Sequence, residues 1–594
     1  MSDTPTIDWT PEGPRSVRYG DVYFSREDGL AESRTVFLQG CGLPEAWRGR
    51  RDFVVGELGF GTGLNIAALL DLWRRERPAG GRLRLFSVEA FPLSREEAGR
   101  ALSAWPELAP AVGPLLARWP SRARGLHRAD LPELDARLDL FVGEAAEALA
   151  AWGGRADAWF LDGFAPSTNP EMWREEVQAL VAARSAPGAR AATFTVAGAV
   201  RRGLAAQGFA VEKRQGFGRK RERLEAHLPS EAADRPRPGS VVVVGAGVAG
   251  AALVRALRAE GFEPVLVEAL GPGAAASGNP AALVTPRLDA GGGALAALSA
   301  QVFERACALY REVPGAVIAE GVLQLEAQPR DAARFDRIAG QPFWDEGAVE
   351  RLDAEAASVR LGEPSGHGGL FLRDALVVEP AAALAAWIGP APVVRAAAAR
   401  LARTAEGWAV LDATGAAIVE AEAVVLAAGL GLQPLAPALP LSPVRGQASL
   451  AACADRPAPA AWGGYVVPTR EGVLFGATHD RGDAAADPRP EDNRRNLELL
   501  ARARPKLAEE LAAALAGRPL IGRASVRAAT PDRLPLCGEI EPGLFVLGGL
   551  GSRGFSFAPL LAEHLAARLA GTPSPLTREA ADMVAPDRFA RPAG

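Results

Sequence analysis

Two glycine-rich turns, each followed by an acidic residue one strand later, carry most of the chemistry legible in this 594-residue chain. The first is Glu57-Leu58-Gly59-Phe60-Gly61-Thr62-Gly63, after the apolar run Phe53-Val54-Val55. Its glycines alternate, so the backbone turns tightly and a ligand without phosphates can lie against it. S-adenosylmethionine (SAM) is such a ligand. The next apolar strand, Arg82 to Val88, ends at Glu89, where an acid can accept both ribose hydroxyls. A third, Leu138 to Val142, ends at Gly143-Glu144, which makes Glu144 a candidate for the adenine edge. A fourth, Ala158 to Leu161, ends at Asp162-Gly163-Phe164-Ala165-Pro166. In open parallel sheets chemistry gathers at the carboxyl ends of strands, which points Asp162 into the cofactor cleft. An alkylamine with a pKa near about 10 arrives mostly protonated. A carboxylate that takes its proton and orients the nitrogen suits methyl transfer. The plainer reading is that Asp162 caps its own loop.

The second turn, Gly245-Ala246-Gly247-Val248-Ala249-Gly250, follows four valines and opens a helix, and the next strand ends at Glu268. That spacing marks Gly245, Gly247, Gly250 and Glu268 as binding an ADP-containing dinucleotide, without separating FAD from NAD. Two later segments favour FAD. Val424 to Gly429 reads as a strand returning to the nucleotide sheet. Leu544 to Gly549 runs into Gly551-Ser552-Arg553-Gly554 and a helix from Ala558 onward. The amide groups and positive dipole end of that helix can stabilise charge on a reduced flavin. Gly429, Gly551, Ser552 and Gly554 are therefore cofactor candidates.

Between these turns, Arg201 to Leu224 holds eight Lys or Arg against Glu212 and Glu222. Within it, Gly216-Phe217-Gly218 reads as the turn of a hairpin that could present guanidinium groups to phosphates. Lys213, Arg214, Arg219, Lys220 and Arg221 are the candidate contacts, although charge runs are most often solvated faces. The net charge of −5 by itself disfavours a nucleic-acid partner. Four scattered cysteines and five dispersed histidines argue against a disulfide framework or a metal site. No long apolar segment or leader is seen, so a cytoplasmic protein without membrane contact is expected. The sequence leaves the oligomeric state open, with a monomer favoured.

The elements that must position these residues alternate between strand and helix on both sides of a polar Pro/Gly stretch, Glu231 to Gly239. This divides the chain into a domain at 1–230, a linker at 231–239 and a domain at 240–594. The fold class is α/β, with a Rossmann-like domain followed by a second Rossmann-type nucleotide domain. Alternating runs at Gly463 to Val467 and Gly472 to Gly476 predict an antiparallel substrate sheet inserted into the latter.

The second half resembles the D-amino-acid oxidase and glycine oxidase superfamily. The resemblance rests on the Gly245 turn, Val444-Arg445-Gly446-Gln447, Thr530-Pro531-Asp532-Arg533-Leu534-Pro535 and the Gly551 loop. It implies cofactor contacts from Ser277, Gly278 and Asn279, in a loop that has Ala where Gly is expected. The first half, with Asp21-Val22-Tyr23-Phe24-Ser25, the Glu57 and Asp162 segments and Gly216 to Glu222, looks like the methyltransferase partner of one fusion. Together they resemble the bacterial bifunctional tRNA 5-methylaminomethyl-2-thiouridine biosynthesis family. The resemblance implies FAD-dependent removal of a carboxymethyl group at the tRNA wobble uridine, releasing glyoxylate, then SAM-dependent methylation of the freed amine. Such an oxidase needs a cation for the substrate carboxylate: Arg527 and Arg553 first, Arg445 behind them. The rival expectations are a fused oxidase and methyltransferase for small molecules, and a tRNA-binding protein without turnover.

Overall fold

The computed structural model describes residues 7–10, 13–25, 27–218, 221–231 and 236–589. Arg219 and Lys220, two of the expected tRNA contacts, lie outside the described residues, as does part of the expected linker. The chain forms two compact units, Met1–Pro236 with Gly571–Arg578, and Arg237–Ala570 with Glu579–Gly594. The return of Gly571–Arg578 to the first unit has no counterpart in the boundaries expected from composition.

The first unit is built on an eight-stranded sheet. In spatial order the strands are Gly125–Leu131, Ala136–Val142, Arg82–Glu89, Asp52–Leu58, Ala156–Leu161, Ser185–Thr193, Glu222–His227 and Ala210–Gln215. The five from Ala136–Val142 to Ser185–Thr193 run parallel. Ala156–Leu161 is buried along its whole length, as a strand covered by helices on both faces must be. One face packs on Trp47, Ile66, Leu69 and Trp73, the other on Leu149, Trp152 and Val177. Chain order reverses between Asp52–Leu58 and Ala156–Leu161. That reversal opens a crevice at their carboxyl ends, where ligands bind in open α/β sheets. Glu57 and Asp162 stand on its two sides.

The second unit has a six-stranded sheet ordered Val393–Val394, Val265–Val267, Val241–Val244, Ala423–Leu426, Leu544–Gly548 and Leu536–Glu541, parallel except for the last strand. A separate ten-stranded sheet, almost wholly antiparallel, contains Tyr465–Pro468 and Val473–Gly476, where alternation predicted the inserted sheet. Its strand Ser442–Ala451 is flanked on one side by Ile521–Ala529. On the other lie Val473–Gly476 and then Asp480–Arg481, with 477–479 bulging between them. The helix after the Gly551 loop spans Gly554–Ala570, beginning four residues before the expected start. No helix among the described residues is long and apolar enough to cross a membrane.

Candidate functional site

In the first unit Gly59, Gly61 and Gly63 all hold left-handed φ, at +90°, +53° and +77°. A Cβ on Gly59 would lie 3.1 Å from the Asp162 carbonyl oxygen, and one on Gly61 3.3 Å from the Tyr23 ring. The loop is thus a cradle that side chains would fill, which fits a flat ligand pressed on bare backbone. Glu89 braces it: Oε2 accepts the Gly61 amide at 2.9 Å and Oε1 that of Phe91 at 3.0 Å. Burial pushes its carboxyl above the usual range, opposed by those amides, with Glu144 adding a smaller push. Glu144 is exposed and caps nothing with its side chain.

Asp162 accepts the Gly163 amide on Oδ1 at 2.8 Å and the Asn65 side-chain amide on Oδ2 at 2.7 Å. The loop-capping reading therefore describes only part of its bonding, since Asn65 also holds the carboxylate. Glu57 is fully buried, takes a 2.6 Å bond from Ser87 Oγ and leaves Oε1 without a partner. Burial drives its carboxyl well above the ordinary value, and Asp162 adds to this. Above the loop, Tyr19 stacks on Phe164 at 4.7 Å and Tyr23 meets Phe164 edge-on at 5.4 Å. Asp21 anchors this segment by accepting the Ala165 amide at 3.2 Å. Asn65, Tyr19 and Tyr23 were not singled out from sequence as site residues. The one signal available for Asn65 is its place in the first turn of the helix that leaves the glycine loop.

In the second unit a cavity of about 970 Å3 runs from Gly245, Gly247 and Glu268 past Ser277, Asn279, Gly429, Gly551, Ser552 and Gly554 to Arg527, Arg553, Tyr465 and His479. Gly245 has φ +106°, and a Cβ there would stand 2.7 Å from the Ala427 carbonyl oxygen; on Gly247 it would lie 3.1 Å from Ser277 Oγ. Glu268 repeats the Glu89 pattern, with Oε2 accepting the Ala246 amide at 2.7 Å and Oε1 that of Leu270 at 2.8 Å. Ser277 Oγ accepts the Val248 amide at the helix start. The volume, the bare turn and the acid together fit FAD with room for a substrate group. Gly250 and Gly278 are not on the wall. They permit close packing, since a Cβ would come within 1.8 Å of Gly245 O and 2.1 Å of Gly273 O respectively. Asn279 lines the cavity, but its Oδ1 accepts from Arg523 at 2.7 Å.

The three arginines separate clearly. Among the described residues Arg527 has no ion-pair or hydrogen-bond partner, and its guanidinium lies over Gly446, where a Cβ would be 2.4 Å from both terminal nitrogens. Arg553 donates to Pro286 O at 2.8 Å and to Thr285; burial and the cations Arg287 and Arg334 lower it to about 10. Arg445 is off the cavity wall, fully buried and paired with Asp492 at 2.5 Å, so the structure removes it from the candidates. Side chains alternate along a strand, so Arg445 faces away from Val444, the residue paired with Arg527.

The basic run does form the expected hairpin, Ala210–Gln215 with Glu222–His227. Among the described residues three of its cations are met internally: Lys213 pairs with Glu222 at 2.7 Å, Arg214 with Glu212 at 2.5 Å and Arg223 with Glu225 at 2.6 Å. Glu225 lies one residue beyond the window counted from sequence. Among the described residues Arg201, Arg202 and Arg221 are without a carboxylate partner. No group of three or more possible metal ligands occurs among the described residues.

A family model for S-adenosyl-L-methionine-dependent methyltransferases matches residues 106–229, and one for FAD-dependent oxidoreductases matches 240–568. The chain is 58% identical to the tRNA 5-methylaminomethyl-2-thiouridine biosynthesis bifunctional protein of Caulobacter sp. (strain K31), over 99% of this chain and 98% of that protein. It is 57% identical to the protein of the same name from Caulobacter vibrioides, over 99% of each. Among solved structures, glycine oxidase from Geobacillus kaustophilus matches at 22% identity and TM-score 0.47, covering 56% of this chain and 95% of that one.

Proposed function

The chain belongs to the family of tRNA 5-methylaminomethyl-2-thiouridine biosynthesis bifunctional proteins, and from that premise we propose a residue-level account of its two activities. It is an enzyme that uses FAD and SAM to modify the wobble uridine of tRNA. The oxidase unit converts a 5-carboxymethylaminomethyl group to the aminomethyl group, with release of glyoxylate, and the methyltransferase unit methylates the resulting amine. We place both steps in the cytoplasm, where tRNA is found.

Bound FAD would supply the hydride acceptor and bound SAM the methyl donor. Arg527 holds the substrate carboxylate. An unpartnered guanidinium facing a cavity of this size is the observation that carries the assignment. Paired with the carboxylate in bidentate fashion, it orients the carbon between nitrogen and carboxylate. Tyr465, kept protonated by burial, remains a donor beside it. The wall of the cavity holds one carboxylate, Glu268, in the turn at the nucleotide end. At the substrate end the charge is cationic, which disfavours the ammonium form and leaves the substrate nitrogen its lone pair. Loss of the C–H hydride and the N–H proton leaves an imine, which water cleaves to aminomethyl and glyoxylate.

In the methyltransferase unit Asp162, its plane set by Asn65 and Gly163, accepts a hydrogen bond from the product amine and takes the proton displaced on methylation. Tyr19, Tyr23 and Phe164 offer aromatic faces on which a base can stack. Mass spectrometry of wobble nucleosides in tRNA from a deletion strain tests the pathway: the carboxymethylaminomethyl nucleoside should accumulate, and an unchanged profile would contradict the reading.

A further inference from the structure

Arginines from three separate segments lie close to residues of the oxidase cavity wall: Arg481 and Arg533 act on His479, and Arg287 on Arg553. Val444 pairs with Arg527 on one neighbouring strand and with Arg481 on the other. Directly paired residues of antiparallel strands project to the same face, so Arg481 and Arg527 share the face that lines the cavity. Arg533 lies in the loop after Ile521–Ala529, with a left-handed φ of +61°, and its carbonyl accepts Arg287 Nη1 at 3.4 Å. Arg481 and Arg533 are exposed and Arg287 half-buried. The same grouping is felt electrostatically: His479 at the wall is made less basic by burial and then by Arg527, Arg481 and Arg533.

The acids next to these arginines are spent elsewhere. Asp480 pairs with Arg495 at 3.0 Å, Asp483 with Arg489 at 2.8 Å and Asp532 with Arg588 at 2.8 Å, while Asp289 caps the Gly291 amide. Among the described residues none of Arg287, Arg481 and Arg533 has a carboxylate partner. A rim of unneutralised guanidinium groups around a polar cavity costs folding energy through self-repulsion, and it is the arrangement that an anionic backbone complements. In the strands of the first unit's hairpin, by contrast, Lys213, Arg214 and Arg223 each pair with a glutamate.

We propose that Arg287, Arg481 and Arg533 form a phosphate-binding rim that grips the RNA backbone on either side of the wobble nucleotide while its modified base enters the oxidase cavity. This rests on the tRNA reading above. Its test uses the full-length, FAD-loaded protein and tRNA bearing the carboxymethylaminomethyl group, mixed anaerobically, with flavin bleaching followed over a range of tRNA and salt concentrations. In the triple variant Arg287→Ala, Arg481→Ala, Arg533→Ala, the half-saturating tRNA concentration should rise about 100-fold or more at moderate salt. The log–log salt slope should flatten by about 2, for three contacts to a single-stranded loop. The limiting bleaching rate and the flavin spectrum should stay as in the native protein. Unchanged half-saturation and salt slope would overturn the rim. A fall in the limiting rate alone would overturn it too, assigning these arginines to the cavity's chemistry. Failure of the native protein to bleach with this tRNA would instead overturn the tRNA reading. Single variants, each expected to lose about 3- to 10-fold in half-saturation, keep the test decisive should the triple variant not fold.

Discussion

The side-chain amide of Asn65 donates to Oδ2 of Asp162 at 2.7 Å, tying the first turn of the helix after the glycine loop to the carboxylate at the end of the neighbouring strand. The helix that leaves the glycine loop and the carboxylate to which we assign the substrate proton are thereby joined directly. A helix with nearly all of one face buried supplies the stiffness, and the hydrogen bond sets the angle.

Replacing Asn65 by leucine, close in volume and without a donor, should lower the methylation rate about 10- to 100-fold through misorientation of Asp162. Affinity for SAM and glyoxylate release by the oxidase unit should be unaffected. Asp162→Ala should abolish methylation alone. Single-turnover methyl transfer to tRNA bearing the aminomethyl group reads both. A native rate in Asn65→Leu would remove the positioning role, and a native rate in Asp162→Ala would remove the carboxylate's.

Glu57 makes the stability of the fold depend on pH. Its carboxyl is raised well above 4.5 in the folded protein, so between that value and the raised one the native state holds a proton that the unfolded chain has lost. Stability then falls as pH rises through this window. Glu57→Gln cannot ionise and should lack this term. Its melting temperature relative to the native protein should improve as pH rises above 4.5, by roughly 2–4 °C per kcal/mol recovered. A pH-independent difference would show that Glu57 is already ionised in the fold.

Arg527→Ala should reduce glyoxylate formation by about 100-fold or more, the cost of about 3 kcal/mol for removing one partner of a desolvated charge pair. Arg527→Lys should recover part of this, because a point charge replaces a planar fork. Methylation of tRNA that already carries the aminomethyl group should proceed normally in both. Undiminished glyoxylate release from Arg527→Ala would pass the role to Arg553.

The glycine turns, the strand-end acids Glu89 and Glu268 and the hairpin turn were legible because local backbone demands write themselves into residue type and spacing. The choice among arginines was not. Arg445 and Arg527 sit in strands that look alike, and register decides that Val444, not Arg445, shares the face of Arg527. Arg445 then falls beneath the helix Pro490–Ala503, where Asp492 neutralises it. Asn65 and Tyr19 gain their roles only when distant segments meet at the crevice. The basic run overstated its free charge because Glu225, opposite Glu212 in the hairpin, was outside the counted window.

The most direct test of the two-site account is a nucleoside-resolved reconstitution. Purified protein loaded with FAD is given tRNA bearing 5-carboxymethylaminomethyluridine, with and without SAM, and the wobble nucleosides and glyoxylate are quantified by mass spectrometry. Without SAM the aminomethyl nucleoside should accumulate, one for each glyoxylate. With SAM it should be replaced by the methylaminomethyl nucleoside. Persistence of the carboxymethylaminomethyl group while both cofactors are bound, or methyl incorporation without glyoxylate, would contradict the account.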